Sequence, residues 1–259
     1  MSMDGLSLSL LLAAAGVALT HTVLGPDHYL PFLMLARARG WSRRRAVAVT
    51  VACGAGHVAS SLLLGLIGLG LGLAVARVEA IESGRGDFAA WALVAFGLAY
   101  AAWGARRALR KVKGIEPHTH GGVVHVHTGA ARPHDHAHSA GPSHQDDGRR
   151  TTAHGHAHGV DQNAGISTSF WALFTIFVLG PCEPLIPLFV LPASRGRWDL
   201  ALATTAVFGI LTIAAMAALT FIGMAGLRRI PFGPLERWAH TLAGGVIAAS
   251  GLAVITLGL

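Results

Sequence analysis

The chain has 259 residues, of which 53% are hydrophobic and only 13% charged, and its formal net charge is +7. The charged residues form short clusters between long apolar runs, so the composition is that of a membrane protein and excludes an ordinary soluble domain. The basic balance does not predict binding to nucleic acid, because the arginines lie mostly beside apolar segments, where the positive-inside rule places them. The two cysteines lack a CxxC spacing, which argues against a disulfide framework and against a zinc knuckle.

Six apolar segments are long enough to cross a membrane, which takes about 20 residues in a helix. In chain order they cover residues 6–36, 45–76, 88–109, 166–193, 199–227 and 236–258. Arginine-rich clusters follow the first and third segments and precede the sixth, and the positive-inside rule places these ends in the cytoplasm. We therefore predict an all-α, multi-pass protein of the inner cell membrane, with six transmembrane helices and both termini outside the cytoplasm.

The first segment carries two imidazoles and a carboxylate, from His21, Asp27 and His28, at a depth where ionisable groups are costly and usually mark a path for ions. His21 and His28 are seven residues apart, which is two helical turns, so they share one helix face. The Gly25-Pro26 pair interrupts the helix just before Asp27 and frees the direction of that side chain. We predict a cation site made of these three side chains; the alternative is a hydrogen-bonded cluster that supports helix packing.

The second segment places His57 beside Gly54 and Gly56, small residues that let another helix approach closely. Such a histidine is either a metal ligand or a hydrogen-bonding residue in helix packing, and we include it in the candidate site. Cys53 lies one helical turn before His57, and its surroundings favour packing over metal binding.

Residues 114–164 contain no apolar run and hold eleven of the fifteen histidines of the chain. Their composition predicts a disordered cytoplasmic loop between two three-helix transmembrane units, residues 1–113 and 165–259. Imidazoles in pairs and triplets bind Zn, Cu, Ni or Co weakly, so we predict that the loop collects or senses metal; a pH sensor and a passive spacer are the alternatives. The candidate loop ligands are His118, His120, His125, His127, His134, His136, His138, His154, His156 and His158.

The fourth segment repeats the polar sequence of the first at an offset of 155 residues. The run Leu24-Gly25-Pro26-Asp27-His28 aligns with Leu179-Gly180-Pro181-Cys182-Glu183, and further glycines match at or near the same offset. Three helices repeated as three reverse the second copy, so the pattern predicts a 3+3 inverted repeat with broken helices 1 and 4. Cys182 and Glu183 then join the candidate site, whose thiol, carboxylate and imidazole groups favour Ni, Co, Zn or Cu over Mg or Ca.

Three of these elements resemble the nickel/cobalt transporter family and its urease-accessory-like relatives, within the superfamily of six-span exporters that includes the lysine exporters. They are His21 with Asp27-His28, then Gly56-His57 followed by Ser60, and the His-rich loop; five residues separate His21 from Asp27, one more than is usual in that family. The resemblance implies transport of Ni²⁺ or Co²⁺, inward or outward, with the first two elements contributing to metal selection.

We predict a secondary transporter of a divalent transition metal, Ni or Co first and Zn or Cu as alternatives, with no enzymatic activity and no cofactor. The expected partners are the lipid bilayer, the metal ion and a candidate metallochaperone. The proline-flanked Cys182 also resembles the cysteine of membrane thiol-disulfide carriers of the cytochrome-c maturation family, which here would need Cys53 as its partner. An exporter of a small organic solute and a metal-binding accessory protein that does not transport are further hypotheses.

Overall fold

The computed structural model describes residues 5–112, 117–120, 123–126, 162–227 and 233–257. Within these residues the helices are α1 (Gly5–Leu24), α2 (Leu30–Ala38), α3 (Arg43–Gly70), α4 (Val75–Val112), α5 (Gln162–Leu179), α6 (Leu185–Ser194), α7 (Trp198–Leu227) and α8 (Ala239–Leu257). Two short 3-10 helices, Pro26–His28 and Gly233–Trp238, precede α2 and α8.

Five helical stretches among the described residues are long and apolar enough to cross a membrane. They are Ser7–Leu24, Arg43–Gly70, Val75–Arg110, Trp198–Leu227 and Glu236–Leu257. The chain is therefore a multi-pass membrane protein built from α-helices, which confirms the coarse prediction from composition. The predicted fourth segment, residues 166–193, contains two shorter apolar helices instead, which are α5 and α6.

The helix that contains the predicted third segment, residues 88–109, begins earlier than that segment, at Val75. Glu79, Glu82 and Arg85 lower the local hydropathy, so the predicted apolar segment begins only after them. Inside the helix, Glu82 and Arg85 are three residues apart and form an ion pair, which offsets part of the cost of burying them.

Two helices end at the two Gly-Pro sequences. α1 ends at Leu24 and α5 ends at Leu179, and the proline two residues later lacks the N–H group that would continue the helix. The amide of Gly25 donates to the His21 carbonyl at 3.0 Å and that of Gly180 donates to the Ile176 carbonyl at 2.8 Å. Each helix thus completes its last turn before a short segment that is not α-helical. These segments, residues 25–29 between α1 and α2 and residues 180–184 between α5 and α6, are called the first and second interruption below.

Packing between helices brings these two interruptions together. α3 packs against both α5 and α6, α1 packs against α7, and α2 packs against α8. Helices α4 and α8 pack closely through glycines: a Cβ atom at Gly97 would lie 2.8 Å from the Cα of Ala248, and one at Gly104 would lie 2.8 Å from the carbonyl carbon of His240. Such small-residue contacts are a common way for membrane helices to associate.

A two-stranded antiparallel hairpin follows α4, in a segment for which the sequence predicted no regular structure. Strand β1 (Pro117–His120) pairs with β2 (Val123–Val126), and His118 lies opposite His125 in the register. His120 is also in β1, whereas the other seven candidate loop ligands lie outside the described residues.

Candidate metal centre

Three candidate ligands from different parts of the chain meet between the two interruptions. They are His21 near the end of α1, His57 in α3 and Cys182 between α5 and α6, and one nitrogen or sulfur atom of each lies within 4.8 Å of the other two. A tetrahedral transition metal with bonds of about 2.0–2.3 Å holds its ligands about 3.3–3.8 Å apart. Small side-chain movements are therefore enough to bring all three donor atoms to one ion.

His28 extends this group to three imidazoles. Its ring centroid lies 4.6 Å from that of His21 and 5.4 Å from that of His57. Its Nδ1 lies 3.1 Å from Oδ1 of Asp27 and 3.3 Å from the carbonyl oxygen of Gly25. Both neighbours accept hydrogen bonds, so Nδ1 donates and Nε2 keeps its lone pair in the neutral ring, as in many metal-binding histidines that a carboxylate orients.

The backbone of α5 orients His57 in a similar way. The Nδ1 atom of His57 lies 3.3 Å from the carbonyl oxygen of Phe177 in the last turn of that helix, and the same oxygen accepts a hydrogen bond from the Gly180 amide at 3.1 Å. Because a carbonyl oxygen only accepts hydrogen bonds, Nδ1 of His57 carries the hydrogen. Its Nε2 atom therefore keeps a lone pair in the neutral ring.

The Nε2 atoms of His21, His28 and His57 are buried and have no hydrogen-bond partner within the described part of the chain. An unpaired buried polar atom costs about 1–3 kcal/mol, so three of them are unfavourable unless water or an ion completes their bonding. A transition-metal ion bonds to nitrogen lone pairs and removes this cost. The donor atoms of this centre therefore fit a metal ion.

A cavity of about 40 Å³ adjoins the imidazoles. By the same measure a water molecule needs about 10–15 Å³, so the space is sufficient for an ion with one or two waters. One wall consists of small residues of α4, namely Gly86, Ala89 and Ala90, and the apolar side chains of Ile176 and Phe177 form another. The small residues leave the space open.

Glycine at position 25 leaves room for the His28 ring. A Cβ atom on this residue would lie 2.5 Å from Nδ1 of His28 and 3.0 Å from Oδ1 of Asp27. The backbone torsions of Gly25, φ −81° and ψ 97°, are accessible to any residue, so space and not backbone conformation demands glycine here.

The structure does not bring Glu183 to this group. Its side chain is exposed and lines a separate, open cavity of about 500 Å³ together with Glu79 and Ser83 of α4. The repeat alignment placed Glu183 opposite His28, but in the turn between α5 and α6 the neighbouring Cys182 faces inwards and is fully buried.

A buried ion pair that the sequence did not predict contacts the second interruption. Glu82 has no exposed surface, and its Oε2 accepts a hydrogen bond from Nη1 of Arg85 at 2.5 Å. Its Oε1 accepts hydrogen bonds from the hydroxyl of Ser61 and from the backbone amide of Cys182, the latter at 2.9 Å. The available signal was the i, i+3 spacing of opposite charges in a stretch that is otherwise compatible with a helix.

Comparison of the chain with protein-family models, curated proteins and solved structures found no match in any of the three.

Proposed function

We propose that the chain is a secondary transporter of a divalent transition-metal ion, with Ni²⁺ or Co²⁺ as the preferred cargo. The observation that carries this proposal is the approach of His21, His57 and Cys182 donor atoms to within 4.8 Å of one another inside a multi-pass membrane protein. Ionisable groups in such a place are costly and are commonly part of an ion path.

The donor atoms support the choice of metal. Two imidazole nitrogens and a thiol suit Ni, Co, Zn and Cu, whereas Mg and Ca prefer shells made entirely of oxygen. Binding as a thiolate gives Cys182 one negative charge, which offsets part of the charge of the ion in a buried place. His28 stands beside these donors as a fourth candidate, with Asp27 orienting its ring.

The transport mechanism we propose uses α1 with α2, and α5 with α6, as two interrupted spans of a six-span, 3+3 inverted repeat. Support comes from the two Gly-Pro sequences at which α1 and α5 end and from the position of the metal centre between them. Rocking of the two halves around the centre would expose the ion to each side in turn. The His-rich loop, placed in the cytoplasm with both termini opposite, would collect the metal or release it.

The thiol-disulfide hypothesis has less support than metal transport. Both cysteines are free and buried, but Cys53 packs with Met216 and Phe32 in one cluster of buried residues, whereas Cys182 packs with Leu185 and Phe208 in another. A carrier needs its two thiols to meet, which here would require a rearrangement of two packed clusters.

Metal flux into proteoliposomes tests the proposal. Purified protein is reconstituted, Ni²⁺ or Co²⁺ is added outside, and an enclosed chelating dye reports its entry. We expect His57→Gln to reduce entry to that of empty liposomes, because glutamine can still donate to the Phe177 carbonyl but removes the metal-binding nitrogen. His240→Gln is the matched control, since His240 bonds to Tyr100 at 2.8 Å and lies outside the centre.

Unchanged metal flux in His57→Gln would show that the assignment of the metal site is wrong. An absence of metal flux in the unsubstituted protein, despite metal binding, would instead favour an accessory protein that binds metal without transporting it. Flux of amino acids or organic anions without metal would favour the exporter of a small solute.

A further inference from the structure

The buried pair of Glu82 and Arg85 occupies a particular place in the interruption between α5 and α6. In a continuous α-helix the amide of Cys182 would donate to the carbonyl of Val178, four residues earlier. Here Pro181 interrupts the helix, and this hydrogen bond is replaced by two others that both involve side chains of α4. Glu82 accepts the hydrogen bond of the Cys182 amide, and Arg85 donates a hydrogen bond to the Val178 carbonyl.

The amide end of the lost hydrogen bond is held by two oxygen atoms. The N–H of Cys182 donates to Oε1 of Glu82 at 2.9 Å, and Oγ of Ser61 lies 3.2 Å from the same nitrogen. The Ser61 hydroxyl in turn donates to the Glu82 carboxylate. Helices α3 and α4 therefore fix the position of the Cys182 backbone from outside the interrupted helix.

The carbonyl end is held by the guanidinium group. Nη2 of Arg85 donates to the Val178 carbonyl oxygen at 2.8 Å and to Oγ of Ser60 at 3.1 Å, while Nη1 binds Glu82. The planar fork of arginine suits such simultaneous contacts. Because the arginine also neutralises the carboxylate, the pair adds no net charge beside the buried centre.

Close approach of α4 makes these contacts feasible. A Cβ atom at Gly86 would lie 2.6 Å from Cγ of Pro181, so only glycine allows the helix to come this near to the turn. Gly86 also lines the cavity at the imidazoles, so the ion pair of α4 adjoins the part of α4 that lines this cavity.

We propose that Glu82, Ser61 and Arg85 are positioning residues that replace the helical hydrogen bond between Val178 and Cys182 and thereby present the Cys182 thiol to His21 and His57. This proposal rests on the proposed function for the role of the thiol as a metal ligand. It assigns no direct contact with metal to the three positioning residues. The first interruption has a different arrangement, in which the orienting carboxylate of Asp27 is local.

Cobalt spectroscopy tests the positioning role. Co²⁺ bound by a thiolate gives a sulfur-to-metal charge-transfer absorption, which Co²⁺ bound by imidazole alone lacks. In purified protein we expect this absorption to be present, to vanish in Cys182→Ala, and to fall strongly in Glu82→Gln with roughly 10- to 100-fold weaker Co²⁺ binding. Glu79→Gln, one turn earlier on α4 in the open cavity that Glu183 lines, should match the unsubstituted protein. A full charge-transfer absorption and unchanged affinity in Glu82→Gln would overturn the proposal.

Two further measurements keep the test decisive if Glu82→Gln does not fold. Ser61→Ala removes one hydroxyl and keeps the ion pair, and we expect a partial loss of the charge-transfer absorption. In a Cys53→Ser background, Cys182 is the remaining cysteine, and its rate of alkylation by a membrane-permeant maleimide reports how firmly the turn is held. We expect alkylation at least tenfold faster in Ser61→Ala or Arg85→Lys than in the background protein, one factor of ten corresponding to about 1.4 kcal/mol.

Alkylation needs no metal, so the two proposals can fail separately. If the unsubstituted protein binds no Co²⁺ but the alkylation rates change as expected, the metal-transport proposal fails and the positioning role stands as a property of the turn. If Co²⁺ binds through the thiolate and neither Ser61→Ala nor Arg85→Lys changes absorption or alkylation, the positioning proposal fails alone.

Discussion

Nδ1 of His28 lies 3.1 Å from Oδ1 of Asp27, the residue directly before it, so the carboxylate orients the imidazole beside which His21 and His57 lie. Asp27 is therefore expected to act through His28. The sequence assigned it as a ligand in its own right, and the two roles predict different results on substitution.

Replacing Asp27 with asparagine should weaken metal binding without removing it. The amide can still accept a hydrogen bond from His28 but has no negative charge to hold the ring, so we expect roughly 10- to 100-fold lower Co²⁺ affinity by calorimetric titration. Asp199→Asn is the control, because Asp199 is exposed and pairs with Arg197, two residues before it, in a part of the chain remote in sequence from Asp27. Complete loss of binding in Asp27→Asn would indicate direct coordination.

Replacing Cys182 with serine should change the response to metals, whereas the same change at Cys53 should not. Serine is a poor ligand for borderline metals, so Cys182→Ser is expected to lower Ni²⁺ and Co²⁺ flux in proteoliposomes by at least tenfold, equivalent to about 1.4 kcal/mol. Cys53 packs among buried apolar residues, so the correctly folded fraction of Cys53→Ser should transport metal as the unsubstituted protein does. Equal losses of electron transfer to a thiol protein in both variants would point to the thiol-disulfide carrier.

An alanine at position 25 should disrupt the centre through volume alone. Its Cβ would lie 2.5 Å from Nδ1 of His28, so the ring must move away from the other imidazoles. We expect Gly25→Ala to lose Co²⁺ binding while the protein still elutes as a single species. Gly16→Ala, on the preceding helix α1, is the matched control, because a Cβ there would meet no neighbouring atom within 4 Å. Retained binding in Gly25→Ala would show that the ring adapts.

Adjacent glycines of α8 should differ sharply in their tolerance of a methyl group. A Cβ at Gly244 would lie 2.7 Å from the Cα of Ala101 on α4, whereas one at Gly245 would meet nothing within 4 Å. We expect Gly244→Ala to lower the stability by about 1–3 kcal/mol, the usual cost of overpacking, and Gly245→Ala to leave it unchanged or higher. Thermal unfolding in detergent measures both, and equal midpoints would contradict close packing of α4 with α8.

Substitution of Glu183 should leave metal binding intact. Its side chain is exposed in an open cavity with Glu79 and Ser83, away from the imidazoles. We expect Glu183→Gln to bind Co²⁺ with the affinity of the unsubstituted protein, in contrast to Glu82→Gln. A loss of Co²⁺ binding as large as that in Cys182→Ala would instead show that Glu183 is a metal ligand.

The sequence by itself determined the features that depend on neighbouring residues. Long apolar runs predict a multi-pass helical protein, because unpaired backbone groups cannot be left in lipid. The positions of α-helix ends at Leu24 and Leu179 follow from proline, which has no N–H to donate. The choice of His21, His57 and Cys182 as candidate ligands likewise came from residue type and from the two matching Gly-Pro sequences.

Only the tertiary structure decided which of the polar side chains share one place. Cys182 and Glu183 are neighbours in the chain, yet one is buried beside His21 and His57 and the other is exposed. Glu82, which lies between the predicted second and third apolar segments, contacts the Cys182 amide across a separation of 100 residues. The packing of α3 and α4 around the turn decides which side chains of the turn point inwards and which groups accept the hydrogen bonds of its backbone amides. No local pattern in the sequence encodes that packing.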